Sequence, residues 1–119
     1  MDVRLKRAYE PAASSDGYRI LIDRIWPRGI TREEARLDEW ARELAPSSEL
    51  RRWFGHDPAR FAEFTRRYSE ELAAQEGKLR ELRRRAREGR LTLVYGARDS
   101  AHNDAVVLAQ ILRRGRRST

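Results

Sequence analysis

The chain has 119 residues, a formal net charge of +7 and no cysteine, which excludes disulfides, thiolate nucleophiles and cysteine-ligated metals. Its length suits one domain, 1–119, around a modest core, and no apolar window is long enough to span a bilayer. The opening MDVRLKRAYE lacks the apolar stretch of a secretion signal, so a cytoplasmic location without membrane contact is expected.

Val3 and Leu5 alternate with Arg4 and Lys6, a short strand signal. A loop containing Pro11, Ser14, Ser15 and Asp16-Gly17 follows. Tyr18 to Ile25 is then rich in β-branched and aromatic residues, and its apolar run Ile20-Leu21-Ile22 suits a strand covered on both faces. Four helical segments come next. Thr31 and Glu34 have capping-box spacing, ahead of Leu37, Trp40, Ala41 and Leu44 at helical intervals. Pro46-Ser47 opens a second segment carrying Leu50, Trp53 and Phe54. Asp57 is a good N-cap and Pro58 a good first residue for a third, with the stripe Phe61, Phe64, Tyr68 and Leu72. Leu79, Leu82 and Ala86 mark a fourth, ending near Gly89. Leu91 to Tyr95 reads as another buried strand. A last helix carries Ala105, Val106, Leu108, Ala109, Ile111 and Leu112, with 113–119 as a frayed basic tail.

The order β, β, four helices, β, α predicts a small α/β fold of two or three layers with about five helices. Its second and third strands should be parallel, because helices lie between them. Ligands of such sheets settle beyond the carboxyl ends of the strands. Here those ends are DRIWPRG at 23–29 and GARDSAHND at 96–104, so both polar segments should share one rim.

Arg24 and Arg28 offer planar forks for a phosphate or carboxylate. Asp23, Asp99 and His102 supply candidate acid, base or positioning groups, with Trp26, His56 and Asn103 as further ligand contacts. Each has a plainer alternative. Asp23 also suits a buried ion pair, and Trp26 suits packing. Ser100, Asn103 and Asp104 suit helix capping, and His56 in WFGHDP suits a turn. The spacing Asp99-x-x-His102-x-Asp104 matches no specific metal motif, and no glycine-rich phosphate loop or nucleophile elbow is present.

Three blocks, DRIWPRG at 23–29, APSSELRRWFGHDP at 45–58 and LVYGARDSAHNDAVVL at 93–108, resemble the signature blocks of the YeaO-like family, a family of unknown function. The likeness runs from the strand at Lys6-Arg7 to Leu112. It implies a compact α/β fold and a cytoplasmic accessory role, and names neither a reaction nor a cofactor. On matching positions the family's shared polar residues fall at Asp23, Arg24, Arg28, His56, Asp99, His102 and Asn103. Ile25 stands where leucine is usual, and Gly96 where alanine is common.

Two functions are therefore carried forward. One is binding of an anionic small molecule, such as a nucleotide or phosphosugar, with hydrolase or transferase chemistry open at the strand ends. The alternative is a basic nucleic-acid-binding or accessory protein without catalysis, suggested by Arg83-Arg84-Arg85 and the arginines at 113–117. Of the 26 basic residues all but Lys6 and Lys78 are arginine, and many alternate with acids, a pattern typical of solvated helix faces.

Overall fold

In a computed structural model that describes residues 1–114, four strands and five helices form the α/β fold expected. Strands β1 (Asp2–Arg7), β2 (Tyr18–Leu21), β3 (Glu39–Trp40) and β4 (Arg90–Tyr95) lie side by side in the order β1-β4-β2-β3. Every pairing is parallel, with Leu21 opposite Val94 between β2 and β4. The helices are α1 (Arg32–Ala35), α2 (Ser48–Phe54), α3 (Phe61–Ala73), α4 (Glu76–Glu88) and α5 (Asp104–Arg114). None among the described residues is long and apolar enough to cross a membrane.

Strand side chains alternate between the two faces of a sheet, and here the two faces are covered differently. Val3, Ile20, Leu91, Leu93 and Tyr95 pack with Phe64, Tyr68 and Leu72 of α3, Leu79 and Leu82 of α4, and Leu108 and Leu112 of α5. On the opposite face Ala8, Leu21 and Val94 are covered by the loop side chains Trp26, Ile30 and Leu37 and by Trp40 of β3. The molecule is thus a two-layer sandwich whose outer sheet face has a partial, loop-built cover. The rest of that face is polar: buried Arg19 donates to Asp16 (2.7 Å) and to the Ala35 carbonyl (3.0 and 2.7 Å), and Lys6 reaches Asp16 at 3.0 Å.

Two sequence expectations need correction. The helix expected over Leu37, Trp40, Ala41 and Leu44 is not formed. The Thr31–Glu34 capping box does start a helix, with Glu34 N–H donating to Thr31 Oγ1 at 3.0 Å and Thr31 N–H to Glu34 Oε1 at 2.9 Å. That helix stops after one turn at Arg36, which adopts a left-handed conformation (φ 45°). Asp38 then exchanges two hydrogen bonds with Arg19, its own N–H to the Arg19 carbonyl and its side chain from the Arg19 N–H, each 2.8 Å. This zipper draws 39–40 onto the sheet as β3, a strand that helical spacing concealed. The second correction is length: β2 ends at Leu21, well short of Ile25.

The basic runs are more occupied than their composition suggests. Arg83 is buried, donating to the Ile111 and Leu112 carbonyls and pairing with Glu76 at 3.2 Å. Arg85 lies 3.8 Å from the Tyr18 ring centroid, and of that triplet Arg84 alone is exposed. Arg113 and Arg114 belong to α5, with Arg113 donating to the Val3 carbonyl at 2.8 Å; the remainder of the expected frayed tail, 115–119, lies outside the described residues.

Candidate functional site

Because β2 and β4 are parallel neighbours, the segments leaving them emerge on one edge. Asp23 Oδ2 accepts the Gly96 N–H at 2.8 Å, which ties the two exits together. A β-carbon at Gly96 would lie 3.1 Å from that oxygen, a tight contact that glycine avoids.

Beside this tie is a cavity of about 230 Å³. Its buried walls come from Pro27, Pro46, Phe54, Phe64 and Asn103, while exposed Tyr9, Ile25, Arg51 and His56 form its mouth. The wall at Pro46 is held by α3: Glu71 accepts the Ser47 N–H (2.8 Å) and hydroxyl (2.7 Å), and Ser47 Oγ caps α2 through the Leu50 N–H at 3.1 Å. Half-buried Arg24 docks there, its Nε donating to the Pro46 carbonyl at 3.2 Å. Among the described residues neither Arg24 nor Arg51 is within ion-pair distance of a carboxylate.

The cavity also holds two acids, Asp23 and Asp104, whose carboxyls hydrogen-bond one another. Burial raises both above the ordinary carboxylate range. Asp104 is pushed up further, because the charge of Asp23 adds to burial. Asp23 is restrained by its bond to Asp104, the Gly96 N–H and the nearby His56 and Arg51. Of the two, Asp104 is the acid held more strongly toward its neutral form. Tyr68, fully buried, keeps its phenolic proton as well, since burial and the charges of Asp104 and Asp23 all oppose ionisation. Its hydroxyl donates to the Leu44 carbonyl.

The residues expected at the site divide into two sets. Asp23, Arg24, His56 and Asn103 line the cavity. Asn103 is also the cap of α5, accepting the Val106 N–H at 3.0 Å and donating to the Asp99 carbonyl at 2.8 Å. His56 sits in a left-handed turn (φ 57°) with its side chain exposed.

Trp26, Arg28, Asp99 and His102 lie outside the cavity lining. Trp26 donates to the Ile30 carbonyl at 2.6 Å and packs edge-on against Trp40, 5.3 Å between centroids, over the outer sheet face. Arg28 is exposed, and its carbonyl accepts the Tyr9 hydroxyl at 2.9 Å. Asp99 and His102 pair with each other, Oδ2 to Nδ1 at 2.8 Å. Asp99 also accepts the Ala101 and His102 N–H groups, and these bonds hold its carboxyl below the usual range. The His102 ring stands edge-on to Phe61 at 5.1 Å.

Two residues were missed, Asp104 and Arg51. The signal for Asp104 was an acid opening a helix whose next buried positions, Ala105, Val107, Leu108 and Ala109, are apolar. Arg51 stands one turn before the end of α2 that carries His56 in the following turn, a position indistinguishable in sequence from Arg52. Among the described residues no group of three or more His, Asp or Glu side chains is placed to hold a metal ion.

A family model described as "Inactive DUF488-N3 subclade" matches residues 2–118. The uncharacterised protein YeaO of Escherichia coli (strain K12) is 46% identical over 113 residues, which cover 95% of this chain and 98% of the relative. The uncharacterised protein Rv3073c of Mycobacterium tuberculosis and the uncharacterised protein Mb3100c of Mycobacterium bovis are each 46% identical over 110 residues, 92% of both chains. No solved structure matches.

Proposed function

The chain belongs to the DUF488-N3 subclade described as inactive, within the YeaO-like DUF488 family, and we propose that its cavity binds a small anionic molecule of the nucleotide or phosphosugar class. The observation that carries this reading is the pair of cationic side chains, Arg24 and Arg51, that reach the cavity without a carboxylate partner. A guanidinium held against a backbone carbonyl, as Arg24 is, keeps most of its donors for a ligand. His56 at the mouth adds a third group suited to an anion.

The description "inactive" favours binding without turnover over the hydrolase or transferase chemistry that strand-end acids also suit. Nucleic-acid binding ranks behind it, since Arg83, Arg85 and Arg113 are engaged within the fold. A cytoplasmic location is part of the same proposal.

A thermal-shift screen tests it. Sugar phosphates and nucleoside monophosphates, at concentrations well above their dissociation constants, should raise the melting temperature by mass action on the folded state. The Arg24→Ala and Arg51→Ala variants should fold and lose that rise. No shift with any anionic metabolite would sink the proposal, and retardation of a nucleic-acid duplex at near-physiological salt would favour the alternative.

A further inference from the structure

The cavity lining brings together three kinds of group: the acid pair Asp23–Asp104, the cations Arg24 and Arg51, and the exposed hydrophobic side chains Tyr9 and Ile25 at its lip. We infer, resting on the anion-binding reading above, that the ligand is a sugar phosphate whose ring hydroxyl sits against the Asp23–Asp104 pair while its phosphate meets Arg24 and Arg51. An all-anionic ligand fits poorly, because two acids line the cavity beside the arginines. A ligand that is only a hydroxyl compound leaves two guanidinium groups unused.

The hydroxyl is singled out by donor and acceptor arithmetic. Two adjoining carboxyls present several acceptor lone pairs, and a donor in the protonated form. A hydroxyl both donates and accepts, so it can meet a carboxyl in either protonation state, whereas an ammonium group only donates and is matched to ionised carboxylates. One Asp23 oxygen already accepts the Gly96 N–H, so the ligand hydroxyl meets the lone pairs that remain on the pair.

Size points the same way. A cavity of about 230 Å³ is smaller than the ~300–1,000 Å³ common for drug-sized ligands. One phosphorylated sugar is the scale that suits it, and the base of a nucleotide would have to lie outside, at the lip. Tyr9 and Ile25 there are 46% and 58% exposed, and apart from Met1 they are the large hydrophobic side chains left in solvent among the described residues. Tyr9 is fixed by its hydroxyl bond to the Arg28 carbonyl and by the Arg7 guanidinium 5.0 Å from its ring. A lip of this kind tolerates a flat ring and offers little to read its edges. Nucleoside monophosphates and the bare sugar phosphate are therefore expected to bind within about threefold of each other.

Calorimetric titration of the full chain with inorganic phosphate, ribose 5-phosphate and free ribose decides the matter. Ribose 5-phosphate should bind at least tenfold more tightly than inorganic phosphate, and free ribose not measurably. In Asp104→Ala that tenfold preference should vanish with phosphate binding retained, and Asp104→Asn, which keeps a donor, should restore most of it. If phosphate binds and ribose 5-phosphate binds no better, the hydroxyl assignment falls while the anion site stands. If neither binds, both fall. A preference that survives in folded Asp104→Ala overturns the assignment to this pair, and the wild-type comparison remains decisive should that variant not fold.

Discussion

The indole N–H of Trp40 donates to the backbone carbonyl of Asp23 at 2.7 Å, so a side chain of the two-residue strand β3 fixes the acid that lines the cavity. Arg42 lies 3.8 Å from the centroid of the same indole and Trp26 packs against it, which leaves it little freedom. Trp40→Phe removes the donor and keeps much of the apolar surface. We expect a stability loss of about 1–3 kcal/mol in urea unfolding, from the unsatisfied carbonyl and the smaller ring. Sugar-phosphate affinity should fall at the same time. Unchanged affinity would mean that the position of Asp23 does not depend on this bond.

The acid pair gives a pH dependence with a definite sign. Asp104 has a folded-state pKa raised above the ordinary 3.8 by burial and by the charge of Asp23. A raised carboxyl favours folding fully below its unfolded value, and that contribution is lost as pH rises through the folded value. Asp104→Asn removes the titration and keeps a donor toward Asp23. The variant should be more stable than wild type near neutral pH, and the gap should close as pH falls toward 3.8. Melting temperatures of the two proteins across that range check it; a gap that widens in acid contradicts the pairing.

Asp16 behaves in the opposite way. Burial alone would raise it, but the Ala13 N–H, Lys6 and Arg19 together outweigh burial and hold it below 3.8. Its contribution is present above that value and fades as pH falls through the lowered one. Asp16→Ala strands Arg19, which is only 3% exposed. Removing one partner of such a buried pair costs about 3–5 kcal/mol. Urea unfolding near neutral pH should show that loss, and a change under ~1 kcal/mol would mean that Lys6 and Arg19 re-pair or hydrate without it.

Gly17 offers a purely steric test. It has φ +67°, and a β-carbon there would meet the Arg90 carbonyl oxygen at 2.3 Å. Gly17→Ala forces the start of β2 away from the start of β4, and the strain at a left-handed position alone is about 1–3 kcal/mol. The melting temperature should drop by several degrees or more.

Much of the fold was legible because its signals are local. Apolar runs marked β2 and β4, and caps at Thr31, Ser47 and Asp57 each start a helical turn where expected. What escaped was set by partners distant in sequence. Residues 39–40 join the sheet through the Arg19–Asp38 zipper, which no window around Trp40 contains. The meeting of the two strand ends was foreseen from parallel pairing, and Asp23 and Gly96 do touch. Which polar residues then line the cavity was readable only in part: Asp23, Arg24, His56 and Asn103 do, and Trp26, Arg28, Asp99 and His102 do not. Asp99 and His102 bond to each other across three positions, a local attraction that turns them aside, whereas Asp104 enters because α5 begins beneath Asp23.

Strand β4 occupies an inner place in the sheet, between β1 and β2, although its residues 90–95 come late in the chain. Until it is made, β1 has no neighbour, and β2 lacks the partner that joins it to β1. A ribosome releasing this polypeptide from its N-terminus thus exposes Val3, Ile20 and Leu21 for most of synthesis. Nascent chains stalled before Arg90 should be protease-sensitive throughout and should attract chaperones, and protection should arrive abruptly once Tyr95 has cleared the exit tunnel.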